Sequence, residues 1–499
     1  MDITKNRLYA VVGAIVLFKL ILAYAFPIWP DEGYYLTWTR NIDTGFYCHP
    51  PMVGWLMYVM SFISRDIFFH RLIAIFVSTA AGFVIFAVAR DITRDEKKAA
   101  LASLVYFLSP ANVFFIVLTN DAPLFLFTLL CVVCFYYAVA RDRIIFSMLA
   151  GVFMGLAFLC KYFAVLLFLS MVVYLAFNRN RRTLTHCLVA GIAALPIASI
   201  NLYYNYMNCW NNVMVQWFNR TGDKSFSALY FIGYVFGQLY WLTPWGLYYL
   251  VRERGGVAAF FAERTRLVFA LALLAPLAFM ALIGLKAASL HWTLPFFSIL
   301  PIVLLGLQSE SLKRIVVGNA IFASAHALVI VVLLLLPLSL FKDFRYYTDF
   351  VLYKKGDLIC AELAPYRGKY VFGTIGYTVS STLDYYCGEY FLIFNSLSKW
   401  GRNDDKVTDF RKLDGKNILV VSPKIETADE YRHLFERVEV RYVDVLEGRF
   451  SFIVGDGFKY AAYRDTTLRK ALDKLYNVPT WLPCGSCYFF DRYFPERKY

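Results

Sequence analysis

Long, nearly uncharged runs recur through the first two thirds of the chain. They are Leu8–Phe26, Leu72–Ala89, Ala99–Leu118, Leu124–Ala140, Ile145–Leu159, Phe163–Phe177, Leu184–Tyr204, Ala228–Val251, Leu267–Leu285, Leu290–Leu307 and Ile315–Leu340. Crossing a hydrocarbon core as a helix takes about 20 apolar residues, so the pattern predicts about eleven membrane spans, at most about thirteen. The two runs flanking Lys161 are short and are expected to tilt or to meet at shallow depth. The first run also resembles a signal peptide, since Lys5 and Arg7 precede it and Ala23-Tyr24-Ala25 mimics a cleavage site. Its length exceeds the apolar core of such a signal, and an uncleaved first helix is the reading adopted.

Near residue 341 the pattern changes, dividing a membrane region (1–340) from a C-terminal region (341–499). Charges become regular there and alternate with β-rich runs: Tyr370–Ile375, Asn417–Ser422, Val438–Val443 and Ser451–Val454. Helical patterning between them, as in Thr427–Arg437, predicts a small α/β domain. Between the apolar runs two connections are elaborated, one over 27–70 and one over Asn205–Ser225. Within the first, Pro51–Ser64 is too short to cross and reads as an interfacial helix anchored by Trp55 and Tyr58.

Composition agrees: 59% hydrophobic residues with 17% charged exclude an ordinary soluble protein. A net charge of +14 suggests nucleic acid, but its distribution argues for topology instead. Seventeen cations occupy the N-terminus and every second connection after it, from Lys5 to Arg314. The opposite connections before the last span carry seven: Arg40, Arg65, Arg71, Lys161, Arg220, Lys224 and Lys286. By the positive-inside rule the richer set is cytoplasmic, which puts the loop 27–70 and the C-terminal region on the outer face of the membrane. Cys360, Cys387, Cys484 and Cys487 all lie in that C-terminal region, where oxidation is permitted; their pairing is left open. Cys131 and Cys134 have metal-like spacing but sit inside a span and read as buried thiols.

The candidate chemistry clusters at the outer ends of the runs. Asp31 and Glu32 follow the first run and read as a solvated helix-end pair, as a general base with an acidic neighbour, or as metal ligands. Asp121, two residues before Pro123, either stabilises a helix N-terminus or joins the other acids at one pocket. Lys161 separates two apolar runs, where a charge is costly, so it either snorkels or serves a functional partner. Lys286 and His291 flank another outer turn, and Lys19 lies mid-helix, suiting a polar bundle interior or snorkelling. Such parts suit an anionic lipid: Lys161 can balance a phosphate, His49 can donate to one, and carboxylates can activate an acceptor. No GxGxxG fingerprint or Walker loop is present, and no outer loop holds an Asp-x-Asp pair.

The stretch WPDEGYYLTWTRNIDTGFYCHPPMVGWL resembles the first outer loop of bacterial membrane glycosyltransferases related to protein O-mannosyltransferases and lipid A aminoarabinose transferases. LSPANVFFIVLTNDAPLFLF, GVFMGLAFLCKYFAVLLF and HWTLPFFSILP resemble later motifs of that superfamily, in order. The resemblance, over about residues 8–310, implies the GT-C fold, a polyprenyl-phosphate sugar donor and inversion at the anomeric carbon. It implies Asp31 as base, Glu32 and Asp121 as tuning acids, and Lys161 as the donor-phosphate contact, with Tyr34 and Tyr35 in the same motif. Two departures stand out. Cys48 replaces the usual acid before His-Pro-Pro, leaving it open whether Cys48 and His49 hold a divalent metal, whether Cys48 pairs with Cys209, or whether it is a plain thiol. Tyr34 replaces an arginine of the aminoarabinose transferases. The expected function is sugar transfer to lipid A, another glycan or protein. Competing readings are a transporter or flippase of lipid-linked sugars and a lipid-binding scaffold.

Overall fold

The computed structural model describes residues 5–113, 115–219, 225–287 and 289–497. Arg220 and Lys224, counted above among the outer cations, lie outside them. By internal packing the chain divides into two compact units. One comprises Met1–Phe26, Ile63–Asn201 and Lys224–Leu334; the other comprises Pro27–Phe62, Leu202–Asp223 and Leu335–Tyr499.

The first unit is helical. Among the described residues, six helices are long and apolar enough to cross a membrane: Asn6–Ala25, Ile67–Thr93, Asp121–Arg141, Arg181–Tyr206, Arg264–Gly284 and Ser309–Leu335. With them come shorter apolar helices, including Ile144–Cys160 and Val165–Phe177 on either side of Lys161. This is a mostly helical, polytopic membrane fold. Ends are set locally. Asp66 Oδ1 accepts from the backbone N–H of Phe68 at 2.8 Å to start one long helix, and Arg94, in the left-handed region, ends it. The core holds Ala74, Ala81, Leu104, Phe125, Leu129 and Phe269, all nearly inaccessible, and Cys131 and Cys134 are buried free thiols. Lys19 is buried as well. Its ammonium donates to Asn112 Oδ1 at 2.6 Å and Ser78 Oγ at 3.1 Å, so it takes the polar-interior reading rather than snorkelling.

Three predicted runs are not single helices. Ala99–Leu118 breaks after Phe107, because Pro110 disfavours helical backbone at Ser109; only a short turn, Pro110–Val113, follows. Ala228–Val251 breaks at Thr243, whose positive φ and Pro244 end one helix while its hydroxyl accepts from Gly246 N–H to start the next. Leu290–Leu307 is a chain of 3-10 turns around a four-residue α-turn, since Pro295 and Pro301 supply no backbone donor.

The second unit carries a mixed five-stranded sheet, ordered β2-β1-β3-β5-β4: β1 (Val371–Thr374), β2 (Leu392–Ile393), β3 (Ile418–Ser422), β4 (Phe435–Val445) and β5 (Gly448–Phe458). β1 runs parallel to β2 and β3, whereas β5 is antiparallel to β3 and β4. β3 is buried along its whole length, and β4 is an edge strand guarded by exposed charges such as Arg441. Leu446 and Glu447, both at positive φ, close the β4–β5 hairpin, as a two-residue turn of matching twist requires. The helical patterning read over Thr427–Arg437 is corrected: two 3-10 turns occupy 428–434, and β4 begins at Phe435, where pairing to β5 outweighs local propensity. Helices Tyr347–Leu363 and Tyr377–Cys387 cover the sheet through Val351, Leu352, Ile359, Leu383, Phe450 and Phe452. Cys360–Cys387 joins these two helices, and Cys209–Cys487 joins residues 278 apart within the same unit.

Candidate active site

In the sheet-bearing unit, the acids stand on the helix Pro30–Trp38. Proline at its first position fits the missing N–H there, and two acids in the first turn face the helix's positive end. Glu32, fully buried, reaches back with Oε2 to accept from the backbone N–H of Trp29 at 3.2 Å, so its charge serves the helix start. Asp31 is half-buried, and its Oδ1 accepts a hydrogen bond from the Tyr377 hydroxyl at 3.3 Å. Burial, and next the Asp31 charge, push the Tyr377 phenol above its ordinary range, so it remains a protonated donor at neutral pH. Tyr34 and Tyr35 are buried against Trp38, which stacks on Phe46 at 4.1 Å between centroids.

Tyr47 and Cys48 form a tight turn between Phe46 and His49, which exchange backbone hydrogen bonds of 3.0 and 3.3 Å. Tyr35 and His49 lie edge to face, 6.1 Å apart. Cys48 is buried outside any disulfide, and its carbonyl accepts from Gln216 Nε2 at 2.9 Å. The Cys48–Cys209 pairing is thereby overturned, because Cys209 is bonded to Cys487. Among the described residues no three His, Cys, Asp or Glu side chains gather as a metal-ligand set. Cys48 and His49 are two side chains, where a divalent ion such as zinc takes at least three protein ligands.

The remaining candidates belong to the helical unit. Lys161 interrupts the helix Ile144–Cys160 with extended backbone. Its Nζ donates to Asp121 Oδ1 at 2.8 Å, with the side chains only 9% and 13% exposed. The pairing has a plain cause: neither charge is tolerable alone among apolar helices, and Asp121 sits at a helix N-terminus that favours an anion. One of the three ammonium donors is committed to Asp121, which aims the group. The neighbouring Tyr162 hydroxyl donates to Asn201 at 2.6 Å. Lys286, half-buried, lies 5.2 Å from the centre of the Phe226 ring, and His291 is exposed, with its Nδ1 2.9 Å from Ser289 Oγ.

Residues beyond the sequence motifs brace the segment Pro27–Phe62 within its own unit. Arg40 donates to Asp384 at 2.6 Å, Lys406 pairs with Asp43, Ser381 Oγ donates to the carbonyl of Pro30 at 3.3 Å, and the backbone of Tyr47 donates to Asn403 at 3.2 Å. Reading the sequence missed Tyr377, Ser381, Asp384, Asn403 and Lys406. They lie more than 300 residues from their partners, and no spacing rule reaches that far.

A family model described as dolichyl-phosphate-mannose-protein mannosyltransferase matches residues 48–204, a range holding Cys48, His49, Asp121 and Lys161 but not Asp31. The lipid A galacturonosyltransferase RgtD of Rhizobium johnstonii is 24% identical over 238 residues, covering 45% of this chain and 50% of RgtD, so the chain spans about half the length of that curated relative. ArnT from Cupriavidus metallidurans, solved in the apo state, is 15% identical and superposes with a TM-score of 0.66 over 89% of this chain and 97% of ArnT. The same protein bound to undecaprenyl phosphate gives 0.64 at 15% identity, over 90% and 98%. Family model, curated relative and fold agree with the resemblance read from the sequence: residues 48–204 are similar to the mannosyltransferase family model, about half of RgtD is matched, and the fold is that of ArnT.

Proposed function

We propose that the protein transfers one sugar, a hexose or a pentose, from a polyprenyl-phosphate donor to an acceptor hydroxyl of lipid A, another envelope glycan or a protein. The acceptor oxygen attacks the anomeric carbon as the bond to the phosphate oxygen breaks, inverting the centre. The acceptor proton passes to Asp31, and the electron pair leaves with the polyprenyl phosphate. Lys161, aimed by Asp121, offsets the charge that grows on the departing phosphate, a form of stabilisation that often dominates catalysis. Glu32 holds the helix start beneath Asp31. His49, Lys286 and His291 are further donors toward the phosphate, and Tyr34 and Tyr35 shape the wall around the base.

The observation that carries this reading is the Asp31 carboxylate, half-buried at the head of a helix whose motif resembles the transferases, with a neutral phenol on one oxygen. Support comes from what the relatives are named for: RgtD is a lipid A galacturonosyltransferase, and ArnT was crystallised with undecaprenyl phosphate. The charge asymmetry of the connections and the two disulfides support a bacterial inner-membrane protein whose 341–499 segment and loop 27–70 face the oxidising side.

Mass spectrometry of lipid A, envelope glycans and glycoproteins tests this in cells lacking the gene, complemented with wild type or Asp31→Asn. A sugar-sized increment restored by wild type and not by Asp31→Asn is the expected result. Equal restoration by both would remove Asp31 as base. No increment at all, with lipid-linked sugar retained on the inner leaflet of the knockout, would replace the transferase with a transporter.

A further inference from the structure

The helix Tyr377–Cys387 presents one face to the loop helix Pro30–Trp38. Tyr377, Ser381 and Asp384 are spaced i, i+4 and i+7, hence on one side of a helix, and each makes a separate contact to that loop. Asp384 takes Arg40 at 2.6 Å, Ser381 donates to the Pro30 carbonyl at 3.3 Å, and Tyr377 donates to Asp31 Oδ1 at 3.3 Å. The two helices approach closely because residue 33 is glycine. A Cβ there would stand 3.2 Å from the Ser381 carbonyl oxygen, inside ordinary contact.

The Tyr377 ring is itself held. It meets Tyr34 edge to face at 4.9 Å, and Gly401 passes over its Cβ in a left-handed conformation (φ +78°) where an added Cβ would lie 2.1 Å away. A phenol so packed has little freedom left to its hydroxyl, and the hydroxyl's direction is toward the carboxylate.

We propose that Tyr377 is a positioning residue for the candidate base: its hydroxyl holds Asp31 Oδ1 and fixes the carboxylate's orientation, so that the C-terminal segment is a working part of sugar transfer. This rests on the reading of Asp31 as base. A carboxylate free to rotate about its terminal torsion presents its lone pairs to the acceptor only part of the time. Fixing it removes that loss from the chemical step and leaves donor affinity alone.

The test compares full-length wild type, Tyr377→Phe, Tyr377→Ala and Asp31→Asn in detergent-permeabilised membranes of the deletion strain, which supply their own acceptors. Donor is titrated as the lipid extract of the host's membranes, and transfer is followed by mass. Undecaprenyl phosphate binding and melting temperature are measured on the same purified proteins. Tyr377→Phe keeps the ring and removes only the hydroxyl. It is expected to lower kcat about tenfold, as for loss of a hydrogen bond to a charged group, with KM for the extract, binding and melting temperature near wild type. Tyr377→Ala is expected to lose packing as well and to melt earlier. Wild-type kcat in Tyr377→Phe overturns the proposal, as does a loss of rate that merely follows a fall in melting temperature or a rise in KM. The two readings separate in the same experiment. Active Asp31→Asn overturns the base and this inference with it, whereas inactive Asp31→Asn beside fully active Tyr377→Phe overturns this inference only.

Discussion

The two compact units handle a candidate carboxylate in different ways. In the helical unit, Asp121 is met by a full opposite charge, Lys161, at 2.8 Å across 40 residues of sequence. In the sheet-bearing unit, Asp31 is met by a neutral phenol across 346 residues. An ammonium among apolar helices needs an anion, because desolvation of a lone charge costs several kcal/mol. A phenol that donates to one oxygen orients a carboxylate without itself bringing the fixed positive charge that would weaken it as a base. The first arrangement suits a charge held in readiness; the second suits a charge that is to change.

That contrast is sharpest at Asp31. Asp31→Asn keeps an acceptor for Tyr377 and should keep the fold, while transfer falls about a thousandfold or more, within the range set by general-base catalysis. Initial rates beside melting curves separate the two effects, and a rate within tenfold of wild type would place the base elsewhere. Lys161→Met probes the other unit. It takes the cation from a buried aspartate and should cost about 3–5 kcal/mol of stability. Adding Asp121→Asn should return most of that loss in thermal melts while undecaprenyl phosphate binding stays weak. If the double variant is no more stable than the single one, the pair is not what holds this region.

Smaller effects concern how the sheet-bearing unit is assembled. Cys209–Cys487 closes 278 residues and Cys360–Cys387 closes 27. By loop-closure entropy, replacing the first pair with serines should cost about 2 kcal/mol more than replacing the second. Denaturation of the two double variants measures that difference, and an equal loss would mean the unfolded chain does not set the scale. A further expected effect is a pH slope. Burial, the largest influence, pushes the Asp404 carboxyl up to about 6, against accepted bonds from Tyr390, Thr408 and the Ile393 N–H. A carboxyl raised above its unfolded value near 3.8 favours the neutral folded form. Its contribution is therefore full below about pH 4 and is lost as pH rises through about 6. Melting temperatures of wild type minus Asp404→Asn across that window should show this slope, and parallel curves would remove Asp404 as its source.

Much of the helical unit was legible because hydropathy is local: six of the predicted runs are long apolar helices. The breaks at Pro110, Thr243–Pro244 and the Pro295–Pro301 stretch were written in the chain too, though masked by the apolar residues around them. Of the candidate site, Asp31, Glu32, Asp121 and Lys161 were each singled out, because an ionisable group at the end of an apolar run is conspicuous. Their partners were not. Glu32 read as a tuning acid and turns back to cap its own helix, while Asp121 and Lys161 read as separate functions and are bonded to each other. Cys48 read as a possible partner of Cys209, whose bond goes to Cys487.

Residue order alone determined which segments are long and apolar enough to cross a membrane, where helices stop at proline, which strands alternate and which acids stand at helix starts. Each of these follows from one residue and its near neighbours, acting through solvation, backbone torsion and propensity. Tertiary structure alone decided that Tyr377 reaches Asp31, that Asp384 meets Arg40, and which cysteines join. Those pairings depend on two helices meeting at Gly33 and on a sheet that brings distant strands together. Such contacts form only when the whole unit has folded, and no local period along the chain encodes them.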